Sequence, residues 1–221
     1  MLLYLKFKQG KQMNGTRKTA QQENMAQKAT PTTNTENVEA QLNDADLIAK
    51  FQNENSRNFA FNQIIRKYQV RVYQLIRKMV IDHDDTNDLV QETFIKVWNN
   101  LEKFRQDAQL YTWIYRIAVN ESLAFLNRKR RKFLLPIVDV NKELTAKLTT
   151  SGGFTGDEIQ MKLQKALLTL PDKQRLVFNM KYFDDLSYEE ISEIVGTSVG
   201  ALKASYHHAV KKIEEYIGKF D

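Results

Sequence analysis

The chain has 221 residues, 42% hydrophobic and 27% charged, with a formal net charge of +6; that length suits one or two modest domains, each able to bury a core. With 8 Gly, 3 Pro and no Cys, an all-β protein built on tight turns is disfavoured, and disulfides and thiolate metal sites are excluded. The apolar start Met1 to Leu5 meets Lys6, too short for a signal-peptide core or a membrane span, so no membrane insertion and a cytoplasmic home are expected.

Residues 1–42 are polar and rich in Gln, Asn, Thr and Lys, and read as a disordered tail in which Met13 and Met25 are alternative starts. Asp44 is the expected cap of a short helix carrying Leu47, Ile48 and Phe51. A longer helix is predicted from about Arg57 to Val80, because Phe61, Ile64, Ile65, Tyr68, Val72, Leu75, Ile76 and Met79 recur at spacings of three and four.

A third helix, capped by Asp84 or Asp85, carries the stripe Leu89, Val90, Thr93, Phe94, Val97, Trp98 and Leu101. Asp88, Gln91, Glu92 and Ile95 fall on its opposite face, a polar surface with one apolar residue that suits a basic partner helix. Read as a metal or acid–base site instead, Asp84, Asp85, Asp88 and Glu92 would imply an enzyme, but no phosphate-binding loop accompanies them.

A fourth helix, Thr112 to Arg130, carries Trp113, Ile117, Leu123 and Leu126. Around it Phe104, Arg105, Tyr111, Trp113, Tyr115, Arg116 and Asn120 interleave rings with bases, and the run ends in Arg128, Lys129, Arg130, Arg131 and Lys132. Single-stranded DNA binding needs that mixture, since bases stack on rings and cations track phosphates. The other reading makes Trp113 and Tyr115 core residues and the basic run a solvated helix end.

Residues 133–156 lose periodicity and read as a linker, so the fold class is all-α, with helical domains at 43–132 and 157–221. Charge divides between these parts. Residues 41–135 hold 16 basic and 11 acidic groups, and residues 136–221 hold 11 and 13. Leu170-Pro171 marks a turn, with Pro171 placed at a first helical position.

Ser187 and Glu190 have capping-box spacing, Leu186 and Ile191 flank them as a hydrophobic staple, and Gly196 suits a left-handed helix end. Thr197 or Ser198 then caps another helix, completing a helix-turn-helix. Val199, Leu202, Tyr206, Ala209 or Val210, Ile213 and Ile217 form the core side of that second helix. Gly200, Lys203, Ala204, His207 and Lys211 form the face offered to a DNA groove. A plain αα-hairpin with a solvated face is the alternative. His207 and His208 are adjacent and diverge by about 100°, so no metal site is expected.

Taken together, the motifs Asp88-Leu-Val-Gln-Glu-Thr-Phe-Ile-Lys-Val-Trp98, Tyr111-Thr-Trp-Ile-Tyr-Arg-Ile-Ala118, Leu170-Pro171, Leu186-Ser-Tyr-Glu-Glu-Ile191 and Val199-Gly-Ala-Leu-Lys203 resemble the bacterial sigma factors of the sigma-70 family, extracytoplasmic-function (ECF) group. The resemblance implies a non-enzymatic initiation factor with no cofactor, no catalytic residue and no small-molecule substrate. Its implied partners are core RNA polymerase, promoter DNA and, commonly in this group, an anti-sigma factor. Asp88, Gln91, Glu92 and Ile95 would dock on the polymerase. Arg105, Leu110, Tyr111, Thr112, Trp113, Arg116, Asn120, Arg128, Arg130 and Arg131 would meet the minus-ten element, with a flipped base held by the loop from Arg105 to Thr112. Ser198, Gly200, Lys203, Ala204, His207, His208 and Lys211 would meet the minus-thirty-five element. Where relatives often carry arginines on the recognition helix, this chain has Ser205, His208 and Val210, and Ala204 replaces a frequent serine. A stand-alone helix-turn-helix regulator is the alternative function.

Overall fold

A computed structural model of the protein describes residues 42–132, 145–146 and 158–219. The expected tail up to residue 41 and most of the expected linker lie outside the described residues. Helices run in the order α1 (Asp44–Gln52), α2 (Glu54–Val80), α3 (His83–Asn100), a 3₁₀ turn (Leu101–Lys103), α4 (Leu110–Lys132), α5 (Glu158–Leu168), α6 (Asp172–Tyr182), α7 (Tyr188–Val195) and α8 (Val199–Ile217). No strand occurs among the described residues.

The starts of α1, α2, α3, α7 and α8 are set by short polar side chains, though not always the expected ones. Asn43, not Asp44, caps α1 by accepting from the Asp46 N–H at 2.8 Å. Asp44 is engaged elsewhere. Its carboxylate takes the Tyr68 hydroxyl at 2.7 and 2.8 Å and the Lys67 ammonium at 2.6 Å, tying α1 to α2. Burial, and then that carboxylate, push the Tyr68 phenol well above its ordinary range. Asn53 caps α2, which therefore starts at Glu54, three residues earlier than Arg57. Asp82, not Asp84 or Asp85, caps α3, accepting both of their backbone N–H groups at 3.0 Å. Pro171 occupies the cap position before α6 rather than its first turn.

Helices α1 to α4 bury the predicted stripes. Leu47, Ile48, Phe51, Ile64, Val72, Leu75, Ile76, Met79, Leu89, Val97 and Leu126 are all buried. Phe51 and Phe61 meet the Trp98 ring edge-on at centroid distances of 5.1 and 4.9 Å. Such pairs add about 1 kcal/mol each beyond their buried area. Polar residues within this core are satisfied locally. Thr93 donates to Leu89 O at 2.7 Å and Ser122 to Ala118 O at 2.8 Å, the back-bond that lets a hydroxyl be buried on a helix.

The C-terminal helices close on this bundle, and one hydrophobic core runs from Leu47 through Leu176, Met180, Ile191 and Ile194 to Leu202. Helix α6 packs against the end of α2, and α7 against α4. At the first contact Arg175 is fully buried, and its Nη2 donates to Met79 O at 3.1 Å and Asp172 Oδ1 at 3.2 Å. Its Nε and Nη1 have no hydrogen-bond partner. Asn179 donates to Lys78 O at 3.4 Å. Lys78 pairs with Asp184, and Arg130 with Asp172.

Ile81 closes α2 at a φ of 66°, a region a β-branched residue seldom adopts. Its buried side chain holds it there.

Candidate DNA and polymerase interfaces

The expected minus-ten residues divide into two groups. Arg105, Arg116, Asn120, Arg128 and Arg131 are exposed, and Tyr111, Trp113 and Arg130 are partly covered. Leu110 and Thr112 are buried, because α4 begins at Leu110 and turns both side chains into the core. They do not face solvent as a loop reading implies. Tyr115 is likewise a core residue, its phenol pushed up to about 12 by burial and then by the nearby Asp184.

Trp113 is half-buried, as the core reading expects. It stands against Phe104 at a centroid distance of 5.0 Å and packs on the core. It also lines a cleft of about 380 Å³ with Lys96, Asn100, Lys103, Phe104, Ile117, Asn120 and Glu121. Trp113, Ile117, Asn120 and Glu121 form one stripe of α4, while Lys96 and Asn100, four apart, share a face at the end of α3. The Lys96 ammonium donates to the nearly buried Glu121 carboxylate and fixes one wall. Lys96, Asn100, Lys103 and Glu121 escaped the sequence reading. Their helical spacing was visible, but the approach of α3 to α4 was not.

The loop before α4 holds Gln106 at a φ of 59°, in the left-handed region. The basic run ending α4 is not one open cluster. Arg130 engages Asp172 and Asn127, and Lys129 lies 3.8 Å from Asp85 and over the Phe125 ring.

The helix-turn-helix forms as its signals require. Ser187 Oγ accepts the Glu190 N–H at 3.1 Å, and Glu190 Oε2 accepts the Ser187 N–H at 2.7 Å. Gly196 ends α7 at a φ of 69°, and Ser198, rather than Thr197, caps α8. Leu202, Ala209, Ile213 and Ile217 are buried, whereas Ser198, Gly200, Lys203, Ala204, His207, His208 and Lys211 are exposed. The Lys203 ammonium rests over the Tyr188 ring, 5.8 Å from its centroid.

The other Glu190 oxygen, Oε1, accepts the Tyr111 hydroxyl of α4. That hydrogen bond, followed by the Ser187 backbone N–H, holds the Glu190 carboxyl below its ordinary value. Burial and Glu190 together raise the Tyr111 phenol.

On α3, Asp88, Gln91 and Glu92 are exposed together with Ile95, which stands 60% exposed. Among the described residues no three His, Cys, Asp or Glu side chains are grouped to hold a metal ion, and no helix is long and apolar enough to cross a membrane.

A basic, aromatic-lined helical bundle joined to a helix-turn-helix has the make-up of a DNA-binding protein. Known proteins make the class specific. The family profile Sigma-70 region 2 matches residues 64–132, and Sigma-70, region 4 matches residues 160–213. The chain is 31% identical over 188 residues to the ECF RNA polymerase sigma-E factor of Escherichia coli K12, covering 80% of this chain and 95% of that one. It is 30% identical over 166 residues to the ECF RNA polymerase sigma factor SigW of Bacillus subtilis 168, covering 72% and 89%. In fold it is similar to CnrH, solved in complex with the cytosolic domain of CnrY, with a TM-score of 0.57, 24% identity and coverage of 80% and 100%. It is also similar to the sigma factor RpoE of Bartonella quintana, solved with the anti-sigma factor NepR, with a TM-score of 0.55, 20% identity and coverage of 72% and 96%.

The chain belongs to the sigma-70 family, in its ECF group. It is a sigma factor of transcription initiation. Both regions are present, so a stand-alone helix-turn-helix regulator is not favoured. Sigma factors are in general non-enzymatic initiation factors.

Proposed function

We propose that α1 to α4, residues 43–132, form the part that docks on core polymerase and opens the minus-ten element, and that residues 157–221 read the minus-thirty-five element. The chain acts in the cytoplasm and performs no bond chemistry itself. Asp88, Gln91, Glu92 and Ile95 form the polymerase-docking face. Arg105, Arg116, Arg128, Arg130 and Arg131 track the phosphates of the minus-ten strand, and Tyr111 and Trp113 offer rings on which unpaired bases stack. Ser198, Gly200, Lys203, Ala204, His207, His208 and Lys211 face the upstream element, with the α8 N-terminus adding backbone donors for a phosphate. An inhibitor protein of the kind seen with the solved relatives is a further partner in this reading.

The observation that carries this assignment is the cleft at Trp113. A half-buried ring forms its wall on a helix, and amide and ammonium groups from Asn100, Asn120 and Lys103 line it. A planar base taken out of a duplex needs these features together. Two measurements test the assignment. In holoenzyme carrying Trp113→Ala, permanganate reactivity of minus-ten thymines falls about fivefold or more, the loss of one stacking platform of about 1–3 kcal/mol; unchanged opening contradicts the base-holding role. Asp88→Arg lowers recovery of core polymerase in a pull-down; undiminished recovery contradicts the docking face.

A further inference from the structure

We propose that the Lys96–Glu121 pair determines which base the Trp113 cleft accepts. Glu121 takes the exocyclic amine of a cytosine, adenine or guanine, and the pair rejects thymine. The inference rests on the assignment of the cleft to an unpaired minus-ten base.

The cleft has an apolar end and a polar end. Phe104, Trp113 and Ile117 supply the apolar wall. Asn120 and Glu121 follow Ile117 along α4, and Lys96 reaches Glu121 from α3. From Trp113 to Glu121 the helix advances about 12 Å, at 1.5 Å per residue. A nucleoside can therefore lie lengthwise, its ring on the apolar wall and its Watson–Crick edge toward the polar end. Enzymes that extrude a base read it in this way, by stacking on its face and hydrogen bonding to that edge.

A carboxylate is a costly lining for a cleft that receives a polyanion, because it repels phosphate. Lys96 offsets that cost by donating to Glu121 Oε1, which leaves the pair neutral. The Glu121 side chain is 9% exposed and that of Lys96 half exposed, so an outer cation covers a sunken acceptor. A carboxylate offers about four lone-pair sites, and Lys96 takes one. The cleft thus presents an acceptor beside a donor. Cytosine, adenine and guanine each carry an amine for Glu121 and, on the same edge, a ring nitrogen or carbonyl for Lys96. Thymine carries no amine, and its two carbonyls flank N3–H. One of them must face the carboxylate, and a mismatch in a site built for a hydrogen bond is poorly tolerated. As a simple tie between α3 and α4, the pair would affect every base alike.

The test measures holoenzyme affinity for a premelted promoter on which that holoenzyme starts transcription. The minus-ten segment is a mismatched bubble, and each unpaired non-template position carries C, A, G or T in turn. At one position thymine weakens binding about tenfold relative to the best amine-bearing base, the discrimination expected of one matched contact. Replacing that base by its analogue without the amine (2-pyrimidinone, purine or hypoxanthine) gives a similar loss, and this arm needs no protein variant. Glu121→Gln keeps the side-chain shape and adds an amide donor for a carbonyl, so it removes most of the thymine penalty. Thymine accepted at every position by wild type, or analogues that bind as well as their parents, overturns the proposal. So does a thymine penalty that survives Glu121→Gln, or a loss in that variant that falls equally on all four bases. If Trp113→Ala leaves opening by holoenzyme intact, the cleft assignment itself fails and this proposal with it. If opening falls while the thymine penalty survives Glu121→Gln, the assignment stands and the role of Glu121 alone fails.

Discussion

Glu190 performs two tasks with its two oxygens, and the tasks separate by mutation. Oε2 completes the capping box of α7, and Oε1 receives the Tyr111 hydroxyl from α4. Ser187→Ala removes the capping oxygen and costs about 1 kcal/mol. Tyr111→Phe removes one hydrogen bond to a carboxylate, about 1.5 kcal/mol at a partly exposed site. Glu190→Ala loses the second bond and half of the box, so it costs about 2–3 kcal/mol, more than either single change. Urea unfolding followed by far-ultraviolet circular dichroism measures all three.

The same contact carries a pH signature. The Glu190 carboxyl ordinarily titrates near 4.5 and is held lower here, first by the Tyr111 hydrogen bond. The unfolded chain thus binds more protons than the folded chain just below that value. The stabilisation is complete above about pH 4.5 and disappears as pH falls through the lowered value. Tyr111→Phe flattens that acid limb. If Glu190→Ala costs no more than Ser187→Ala, or the acid limb is unaltered in Tyr111→Phe, the contact between α4 and α7 does not contribute as described.

Gly196→Ala meets no atom within 4 Å but places a Cβ at a φ of 69°, so it costs about 1 kcal/mol through backbone strain alone, read as a lower unfolding midpoint with an unchanged denaturant slope. Lys203→Ala forfeits only an exposed cation–π contact of about 0.5–1 kcal/mol, so the fold persists, while the upstream footprint of the holoenzyme weakens; an unaltered footprint removes Lys203 from the reading surface.

Helix faces were readable from the sequence because burial recurs with the helical period. Leu202, Ala209, Ile213 and Ile217 went inward, and Asp88, Gln91, Glu92 and Ile95 outward, as their spacing demanded. Caps were readable to within one to three residues. Where several short polar residues adjoin, as at Asn43-Asp44 and Asp82 to Asp85, each fits a cap locally and packing makes the choice. Asp44 is claimed by Lys67 and Tyr68 from another helix. The cleft and the closure were not readable in this way. Tyr111 and Glu190 stand 79 positions apart, and no local rule joins them. The one trace in the sequence was the charge imbalance between the first and last parts of the chain. It pointed to DNA affinity in the first part.

Transcription in vitro with core RNA polymerase on fragmented genomic DNA, with and without the protein, tests the central claim most directly. The account predicts discrete new start sites that require both the protein and the polymerase, and that vanish with Asp88→Arg. Transcripts unchanged by adding the protein would contradict it.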